Sequence, residues 1–493
     1  MKTVLIMSRG QRLAPTFKAV AADLARDHRV IAAINTVAPD EETHFWQDFN
    51  QGIVIDFQRR IRQVMENRER WSRAFINGVE AETGLTLYSA TRNYQLYRRL
   101  YKAYRGPWGW DQAFYAREET IIPEYIGSYL ILSEIFDKYA PDVIFYESAD
   151  LISAFMALSL GYNRDIFALG FGAAPGLGSI KIVIPYGINR RNVILETLFK
   201  SPDLLPEEAR QASRDLISRY DQKKMSSPWY VQPHKKKAEK PIYLDPKRIL
   251  QNLRQQKTLP NPLVHLRKTM NLAWLQRRCR RDLPREPYLA VFLHYQPEAS
   301  TTSNASRWVN QENIIEQLAI NAPYGLKILV KEHPRAYGFR GPDYFGPLLE
   351  IPNVSMCHPT VSSFEVAKNS EAVFTIVGSV GLEGIFMKKR VAVLGRPYYS
   401  IYPGVRKLHY PEEIFPALRD PAWQPAAMTV ELENFGAAYI ASAHEFGPVA
   451  PGQVWPEPAI GGWRLSQALR KTLEFIETHN LKPVDFYPGG VVT

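Results

Sequence analysis

Residues 372–384 read AVFTIVGSVGLEG, an apolar run followed by a glycine-rich turn and the start of a helical pattern. The apolar run is rich in β-branched and aromatic residues, which favour a buried strand. Gly378, Ser379 and Gly381 form a turn of small residues, through which a ligand can approach the backbone N–H groups of a helix N-terminus. A strand that enters a helix in this way is typical of a parallel α/β sheet. The alternative interpretation is an ordinary glycine-rich turn that binds nothing.

The same alternation of strand and helix occurs in both halves of the chain. In the first half, apolar strand patterns occupy residues 3–7, 30–34 and 141–146. In the second half, strand patterns at 288–294, 327–331 and 391–394 alternate with helical patterns at 311–320, 363–369 and 381–387. These patterns predict an α/β fold with two doubly wound, Rossmann-like domains facing a cleft. A helical, aromatic-rich stretch over 57–138 is predicted to be an insertion in the N-terminal domain.

The composition suggests where the domain boundaries lie. Residues 221–285 contain 17 Lys and Arg against 4 Asp and Glu, a local charge of +13 that exceeds the +11 of the whole chain. We therefore predict an N-terminal domain over 1–220, a basic interdomain segment over 221–285 and a C-terminal domain over 286–460. Residues 461–493 are expected to form a helix that crosses back to the N-terminal domain.

The basic segment is either a solvated linker or a patch that meets anionic lipid or a phosphate-bearing acceptor. No nucleic-acid recognition motif accompanies it.

The overall composition is that of an ordinary globular protein, with 45% hydrophobic and 23% charged residues among 493. Two cysteines in so long a chain favour a reducing, cytoplasmic environment over a disulfide framework. No apolar run is long enough to span a bilayer. The apolar start of the chain is expected to be a first strand, because the run is too short for a secretory signal.

Polar residues follow three of the predicted strands in the C-terminal domain. His294 and Gln296 follow the strand at 288–294, the motif Lys331-Glu332-His333-Pro334 ends the strand at 327–331, and Gly378 follows the strand at 372–377. The carboxyl ends of parallel strands share one edge of a sheet, so these loops are expected to surround one crevice. His333 can donate a hydrogen bond to a phosphate, and Lys331 can offset the phosphate charge. The alternative is a strand-end turn with solvated charges.

Three carboxylates are candidates for chemistry. Glu298, in the polar loop after residue 294, could act as a general base or nucleophile at an anomeric carbon, or could merely cap a helix. Glu147 ends a strand of the N-terminal domain and has catalytic and structural interpretations of equal weight. Glu383 is expected on the first turn of the helix after Ser379, where it could accept hydrogen bonds from ribose hydroxyls.

Three runs together resemble the capsule-polysaccharide biosynthesis family, which includes bacterial Kdo transferases. They are FLHYQPE at 292–298, VKEHP at 330–334 and GSVGLEG at 378–384, within a resemblance that covers about 288–399. The family is similar in layout to bacterial sialyltransferases with an HP motif. The resemblance implies a GT-B fold and a CMP-activated acidic sugar donor, with His333, Pro334 and Ser379 at the nucleotide. It also implies a catalytic acidic residue ahead of the HP motif, for which Glu298 is the best match, although many Kdo transferases have an aspartate in that region.

The predicted function is therefore glycosyl transfer onto a surface-polysaccharide or lipid-linked glycan acceptor. The candidate nucleotide-binding residues are His294, Gln296, Lys331, His333, Pro334, Gly378, Ser379, Gly381 and Glu383. No Asp-x-Asp metal motif is present, so a metal-independent enzyme without a resident cofactor is expected. Because such acceptors are lipid-linked, peripheral attachment to the inner membrane would follow. A UDP-sugar transferase, a UDP-GlcNAc 2-epimerase-like enzyme and a non-catalytic component of polysaccharide export are the alternatives.

Overall fold

The computed structural model describes residues 1–8, 13–34, 45–66, 72–93, 118–147, 149, 151–177, 181–188, 190–222, 262–296, 298–447 and 456–487. These residues form two compact units. Unit 1 contains the described residues of Met1–Gln95, Gln112–Ala212 and Ala437–Thr493, and unit 2 contains those of Ser213–Gly436. None of the described helices is long and apolar enough to cross a membrane.

Unit 1 is built on a five-stranded parallel sheet. Its strands are β1 (Thr3–Ser8), β2 (Arg29–Ile34), β3 (Ile53–Asp56), β4 (Val143–Tyr146) and β5 (Phe167–Leu169). They lie in the order β3-β2-β1-β4-β5, so the order reverses between β1 and β4. In β1, β2 and β4 almost every side chain is buried, as expected for a parallel sheet that is covered on both faces.

The described helices of unit 1 lie between and after these strands. The first is α1 (Ala14–Leu24), which connects β1 to β2. Four helices occupy the described part of the predicted insertion at 57–138, namely α2 (Phe57–Glu66), α3 (Arg73–Thr83), α4 (Leu87–Ala90) and α5 (Glu118–Tyr139). Residues 67–71 and 94–117 of that stretch lie outside the described residues. The next helices are α6 (Ile152–Asn163), α7 (Val193–Lys200) and α8 (Glu207–Asp221), and the division between the units falls within α8.

Unit 2 is built on a six-stranded parallel sheet. Two short strands of unit 1, β6 and β7, precede it in the chain and are described below. The strands of the unit 2 sheet are β8 (Tyr288–Phe292), β9 (Lys327–Lys331), β10 (Val354–Met356), β11 (Ala372–Thr375), β12 (Arg390–Val393) and β13 (Val405–Lys407). They lie in the order β10-β9-β8-β11-β12-β13, so the order reverses between β8 and β11. The described helices are α9 (Pro262–Arg278), α10 (Ala299–Thr302), α11 (Gln311–Asn321), α12 (Pro342–Leu349), α13 (Ser363–Lys368), α14 (Ser379–Phe386), α15 (Ile414–Arg419) and α16 (Thr429–Ala441).

The C-terminal part of the chain belongs to unit 1, where the last helix, α17 (Pro458–Thr478), packs on α1. Gly462 permits this close packing, because a Cβ at that position would lie 2.4 Å from the Cβ of Ala19. Arg470 and Ser466 on α17 both donate hydrogen bonds to the carboxylate of Asp23, at 2.8 and 2.6 Å. Unit 2 ends at Gly436, within α16, whereas the predicted C-terminal domain extends to residue 460.

A small antiparallel sheet also joins the C-terminal part to unit 1. It contains β6 (Gly172–Ala173), β7 (Lys181–Val183) and β14 (His444–Glu445), with β7 in the middle. The five-stranded sheet of unit 1 and the six-stranded sheet of unit 2 are both parallel, and the strand order reverses once in each. These two sheets confirm the predicted fold class, because each unit is Rossmann-like and two such units are the components of a GT-B fold.

Candidate functional site

The loops that follow β8, β9 and β11 meet at one edge of the unit 2 sheet. In doubly wound sheets, ligands bind where the strand order reverses, outside the carboxyl ends of the strands. Here the reversal lies between β8 and β11, and β9 is the other neighbour of β8. Side chains from all three loops are joined by the hydrogen bonds described below.

His294 connects the loop after β8 to the loop after β11. Its Nε2 accepts the backbone N–H of Val377 at 3.2 Å and lies 3.3 Å from the Oγ1 of Thr375. The ring is buried, and burial, aided by the charge of Arg340, lowers the pKa of His294 to about 4. The ring is therefore neutral at physiological pH, with Nε2 as acceptor and the hydrogen on Nδ1. His294 holds the two loops together, a role that differs from the predicted contact with the nucleotide.

Arg340 forms a buried ion pair within the loop after β9 and connects that loop to the loop after β8. Nη1 of Arg340 donates to Oε1 of Glu332 at 2.6 Å, and both side chains are 2% exposed. Nη2 of Arg340 donates to the backbone oxygen of His294 at 2.7 Å and to Oε1 of Gln296 at 3.2 Å. Burial raises the pKa of Glu332, although the charge of Arg340 opposes that shift. No periodic pattern or motif in the sequence indicates Arg340, which follows His333 by seven residues.

Gly378, which directly precedes α14, and Gly381, the third residue of that helix, are explained by close packing around Tyr399 and Thr375. The hydroxyl of Tyr399 donates to the backbone oxygen of Gly378 at 2.5 Å. A Cβ on Gly381 would lie 2.3 Å from that hydroxyl, and a Cβ on Gly378 would lie 2.6 Å from Oγ1 of Thr375. Both positions therefore exclude a side chain for reasons internal to the protein, whether or not a ligand approaches them.

The helix α14 begins at Ser379, directly after Gly378. Its N-terminus carries the positive end of the helix dipole, which favours an anionic ligand there. Glu383 is the fifth residue of α14, so it lies on the second turn and not on the first turn as predicted. It is nevertheless on the same face as Ser379, because residues four apart on a helix share a face.

The HP motif presents a histidine with a fixed tautomer. Nδ1 of His333 accepts the backbone N–H of Arg335 at 3.2 Å, just as the chain enters a 3-10 helix at Pro334. In a neutral ring, the hydrogen must then lie on Nε2, which makes Nε2 a hydrogen-bond donor. His333 is half-buried. This geometry suits the predicted donation to a phosphate.

Two other candidate residues are buried and already engaged with the protein. Nζ of Lys331 donates to the backbone oxygens of His358 and Pro359, at 2.8 and 3.2 Å. The amide nitrogen of Gln296 donates to the backbone oxygen of Val309 at 2.8 Å and to Oγ1 of Thr301 at 3.2 Å. The side chains of Lys331 and Gln296 are thus parts of the scaffold that shapes the loops.

Glu298 lies at the start of the short helix α10 and is partly exposed. Its backbone oxygen accepts the N–H groups of Thr301 and Thr302, at 3.0 and 3.1 Å, so the residue does initiate a helix. Its side chain is 41% exposed. Oε1 lies 3.4 Å from Nη1 of Arg335, and Oε2 accepts the hydroxyl of Ser300 at 3.1 Å.

Arg335 was missed in the sequence, although its position directly after the HP motif is the signal that could have identified it. Its guanidinium lies 4.8 Å from the centre of the Tyr295 ring, and 37% of its side chain is exposed. It forms a cluster with Glu298, Tyr295 and His333 at the carboxyl ends of β8 and β9, since the rings of Tyr295 and His333 are 6.3 Å apart.

Glu147 belongs to the other unit. It directly follows β4, at the point where the order of the unit 1 sheet reverses, and its side chain is partly buried. The structure thus places it at the switch point of its own sheet. Among the residues that the structure describes, no group of three or more His, Cys, Asp and Glu side chains could hold a metal ion. Metal independence stays a prediction.

Comparison with known proteins finds one family model that matches part of unit 2. Residues 300–419, about a quarter of the chain, match the model of the capsule polysaccharide biosynthesis protein family. The match contains the HP motif and α14, and it begins two residues after Glu298. It confirms the resemblance to the capsule-polysaccharide biosynthesis family that the motifs indicated. No curated protein matches the chain in sequence.

Solved structures with distant similarity include two transferases and an epimerase. The β-Kdo 2,7 transferase of KpsC from Thermosulfurimonas dismutans is 13% identical, with a TM-score of 0.34 over 69% of this chain and 89% of that one. The β-Kdo 2,4 transferase of the same KpsC is 14% identical, with a TM-score of 0.35 over 66% and 92%. The UDP-GlcNAc 2-epimerase from Neisseria meningitidis is 12% identical, with a TM-score of 0.27 over 96% and 100%.

Proposed function

We propose that the protein is a glycosyltransferase that moves a sugar from a nucleotide donor onto a surface-polysaccharide or glycolipid acceptor. The observation that carries this proposal is the fixed tautomer of His333 inside the region that matches the capsule family. The N–H group on Nε2 can support the phosphate of a departing nucleotide, and the N-terminus of α14 at the same sheet edge favours the same charge. In this proposal, the histidine N–H and the helix N-terminus stabilise the departing phosphate, and no metal ion is needed for that role.

The donor that we propose is a CMP-activated acidic sugar such as Kdo. This assignment rests on the resemblance to the family that contains Kdo transferases. A UDP-sugar transferase or a UDP-GlcNAc 2-epimerase-like enzyme would use a uridine nucleotide instead. A non-catalytic component of polysaccharide export would bind neither nucleotide.

Glu298 is the proposed catalytic carboxylate. As a general base, it would take the proton of the acceptor hydroxyl while that oxygen bonds to the anomeric carbon. The bond from the anomeric carbon to the phosphate oxygen breaks in the same step, and CMP leaves with the electron pair near His333. As a nucleophile, Glu298 would instead bond to the anomeric carbon first and be displaced by the acceptor. Glu147 is the competing candidate.

We further propose that the basic segment 221–285 attaches the enzyme to an anionic membrane surface, where a lipid-linked acceptor resides. Residues 223–261 of this segment lie outside the described residues. In the described part, the exposed face of α9 carries Leu266 and Met270, which are 57% and 63% exposed. Arg277 lies exposed on the same face, two turns further on. Apolar side chains beside cations are the combination that binds an anionic interface.

Nucleotide binding by the His333→Ala variant tests the proposed function. The variant should bind CMP more weakly by about 1.5–3 kcal/mol, the range for one hydrogen bond to a charged group. Isothermal titration calorimetry with CMP and with UDP on the parent and the variant measures this. His409→Ala is the matched control, since His409 is an exposed histidine of the same unit.

The outcome of this titration distinguishes among the alternative functions. A parent protein that binds UDP and not CMP is a uridine-nucleotide enzyme. A parent that binds neither nucleotide contradicts glycosyl transfer and supports the export component. If His333→Ala binds CMP as the parent does, the site assignment is wrong.

A further inference from the structure

Arg335 and Tyr295 form a cluster with Glu298, and neither of the two has a role in the proposed reaction so far. A cation and a carboxylate face each other at 3.4 Å, and both are partly exposed, at 37% and 41%. The guanidinium also lies 4.8 Å from the centre of the Tyr295 ring, which is itself buried. An ion pair with this exposure and this long distance contributes little to stability, so exchanging its anion costs little.

Arg335 also fills a gap in the chemistry of the HP motif. The motif was expected to supply Lys331 as the cation for a phosphate. Lys331 is instead 3% exposed and donates to two backbone carbonyls. Arg335 directly follows the motif and is a partly exposed cation, and its backbone N–H also sets the tautomer of His333. A guanidinium presents a planar fork of N–H donors that matches the oxygens of a phosphate.

We propose that Arg335 binds the phosphate of the nucleotide, which displaces Glu298 from the guanidinium. In the structure, Arg335 is paired with the carboxylate of Glu298. When the nucleotide binds, its phosphate oxygens take the place of that carboxylate, and Tyr295 keeps the guanidinium plane in position. Glu298 is then released to act on the sugar or the acceptor. Donor binding and the availability of the carboxylate are thereby coupled through one arginine. This inference rests on the proposed function.

Titration calorimetry with CMP and with cytidine tests the assignment, because cytidine lacks the phosphate. Arg335→Ala should weaken CMP binding about 10- to 100-fold, the loss of one or two charge-assisted hydrogen bonds, and leave cytidine binding unchanged. Glu298→Gln should strengthen CMP binding about two- to fivefold at low salt, because the competing anion is gone. UDP and uridine replace CMP and cytidine if the parent prefers uridine.

Arg406→Ala is the matched control variant. Arg406 lies in the same unit, pairs with Asp420 at 2.7 Å, is 39% exposed and lies 5.8 Å from the centre of the Trp423 ring. Its replacement should leave both affinities unchanged. Arg335→Ala binding CMP like the parent would overturn the proposal, as would an equal loss for CMP and cytidine, or weaker CMP binding by Glu298→Gln. A parent that binds no nucleotide shows the proposed function itself to be wrong, before any variant is made.

Discussion

Three ionisable side chains of the site have distinct roles that follow from their environments. His294 is buried and accepts a backbone N–H, so it is neutral and structural. His333 is half-buried and presents an N–H donor. Glu298 is partly exposed and paired with a cation that it can leave. Residue type alone does not separate the two histidines, whereas burial and the identity of each partner do.

Glu298→Gln tests the catalytic carboxylate. The substitution keeps the size of the side chain but removes its charge and basicity. Turnover should fall by about 10²–10⁴, the range for a lost acid–base group, or further for a lost nucleophile. Sugar transfer from the donor, measured beside CMP affinity in Glu298→Gln and Glu147→Gln, checks this. An active Glu298→Gln beside an inactive Glu147→Gln would move the chemistry to unit 1.

The buried neutral state of His294 predicts a pH dependence of stability. The folded pKa of about 4 lies below the usual 6.5 of histidine, so the unfolded chain binds the proton more readily. This contribution to stability is present above pH 6.5 and is lost as the pH falls toward 4. At pH 5.5 the loss relative to neutral pH is about 1.4 kcal/mol.

Thermal unfolding of the parent and of His294→Gln at pH 7.5 and 5.5 measures this effect. A glutamine can still accept the N–H of Val377 through its side-chain oxygen, and it does not titrate. The fall in melting temperature between the two pH values should therefore be smaller in the variant. An identical fall in both proteins would show that His294 is not the titrating group.

At the scale of elements, the turn before α14 depends on a contact between distant parts of the chain. Tyr399 reaches the backbone oxygen of Gly378 only because Gly381 has no side chain. The turn that leads the chain from β11 into α14 is thus held by a residue that follows β12. The position of the helix N-terminus, and with it the anion site, depends on this packing.

Gly381→Ala tests that dependence. Alanine normally favours a helix over glycine by about 1 kcal/mol, but here its Cβ would collide with Tyr399. Overpacking of this kind costs about 1–3 kcal/mol, so the variant should melt at a lower temperature and bind CMP more weakly. Gly78→Ala in α3 is the control, because Gly78 lies within that helix and its added Cβ would meet nothing within 4 Å beyond its chain neighbours and its own helix backbone. It should match or exceed the parent in stability; a Gly381→Ala protein as stable as this control contradicts the argument.

The elements that the sequence revealed are those with a long apolar run. β8, β9, β11 and β12 each contain at least four residues and lie where the patterns predicted them. The strands β10 and β13, at the two edges of the sheet, were missed because each has only three residues and no distinctive run. The HP and glycine motifs predicted which loops meet. The contacts of Arg340 and Tyr399 were not predictable, since each joins loops that are far apart in the sequence.

At the scale of the whole molecule, the basic residues are distributed unevenly along the chain. Residues 262–285 alone contain seven Lys and Arg against one Asp, and they precede the first strand of the unit 2 sheet. A parallel sheet with a buried core does not require such a concentration of charge. This concentration of charge is the reason for the proposed attachment, and the described part of the segment has exposed apolar side chains among the cations.

Sedimentation with lipid vesicles tests the predicted attachment to an anionic surface. Each basic residue that reaches such a surface contributes about 1 kcal/mol, and the contribution falls as salt screens the charge. The parent should sediment with vesicles that contain phosphatidylglycerol at low salt and be released at high salt. Replacing Leu266 and Met270 with serine should weaken binding, because both side chains are exposed on α9 and would insert into the interface.

Val430→Ser is the matched control, since Val430 is 70% exposed in the same unit outside the basic segment. Equal sedimentation with neutral phosphatidylcholine vesicles, or none with anionic vesicles at low salt, would contradict the attachment. Anionic-vesicle binding that is unchanged by the two serines would restrict it to charge alone.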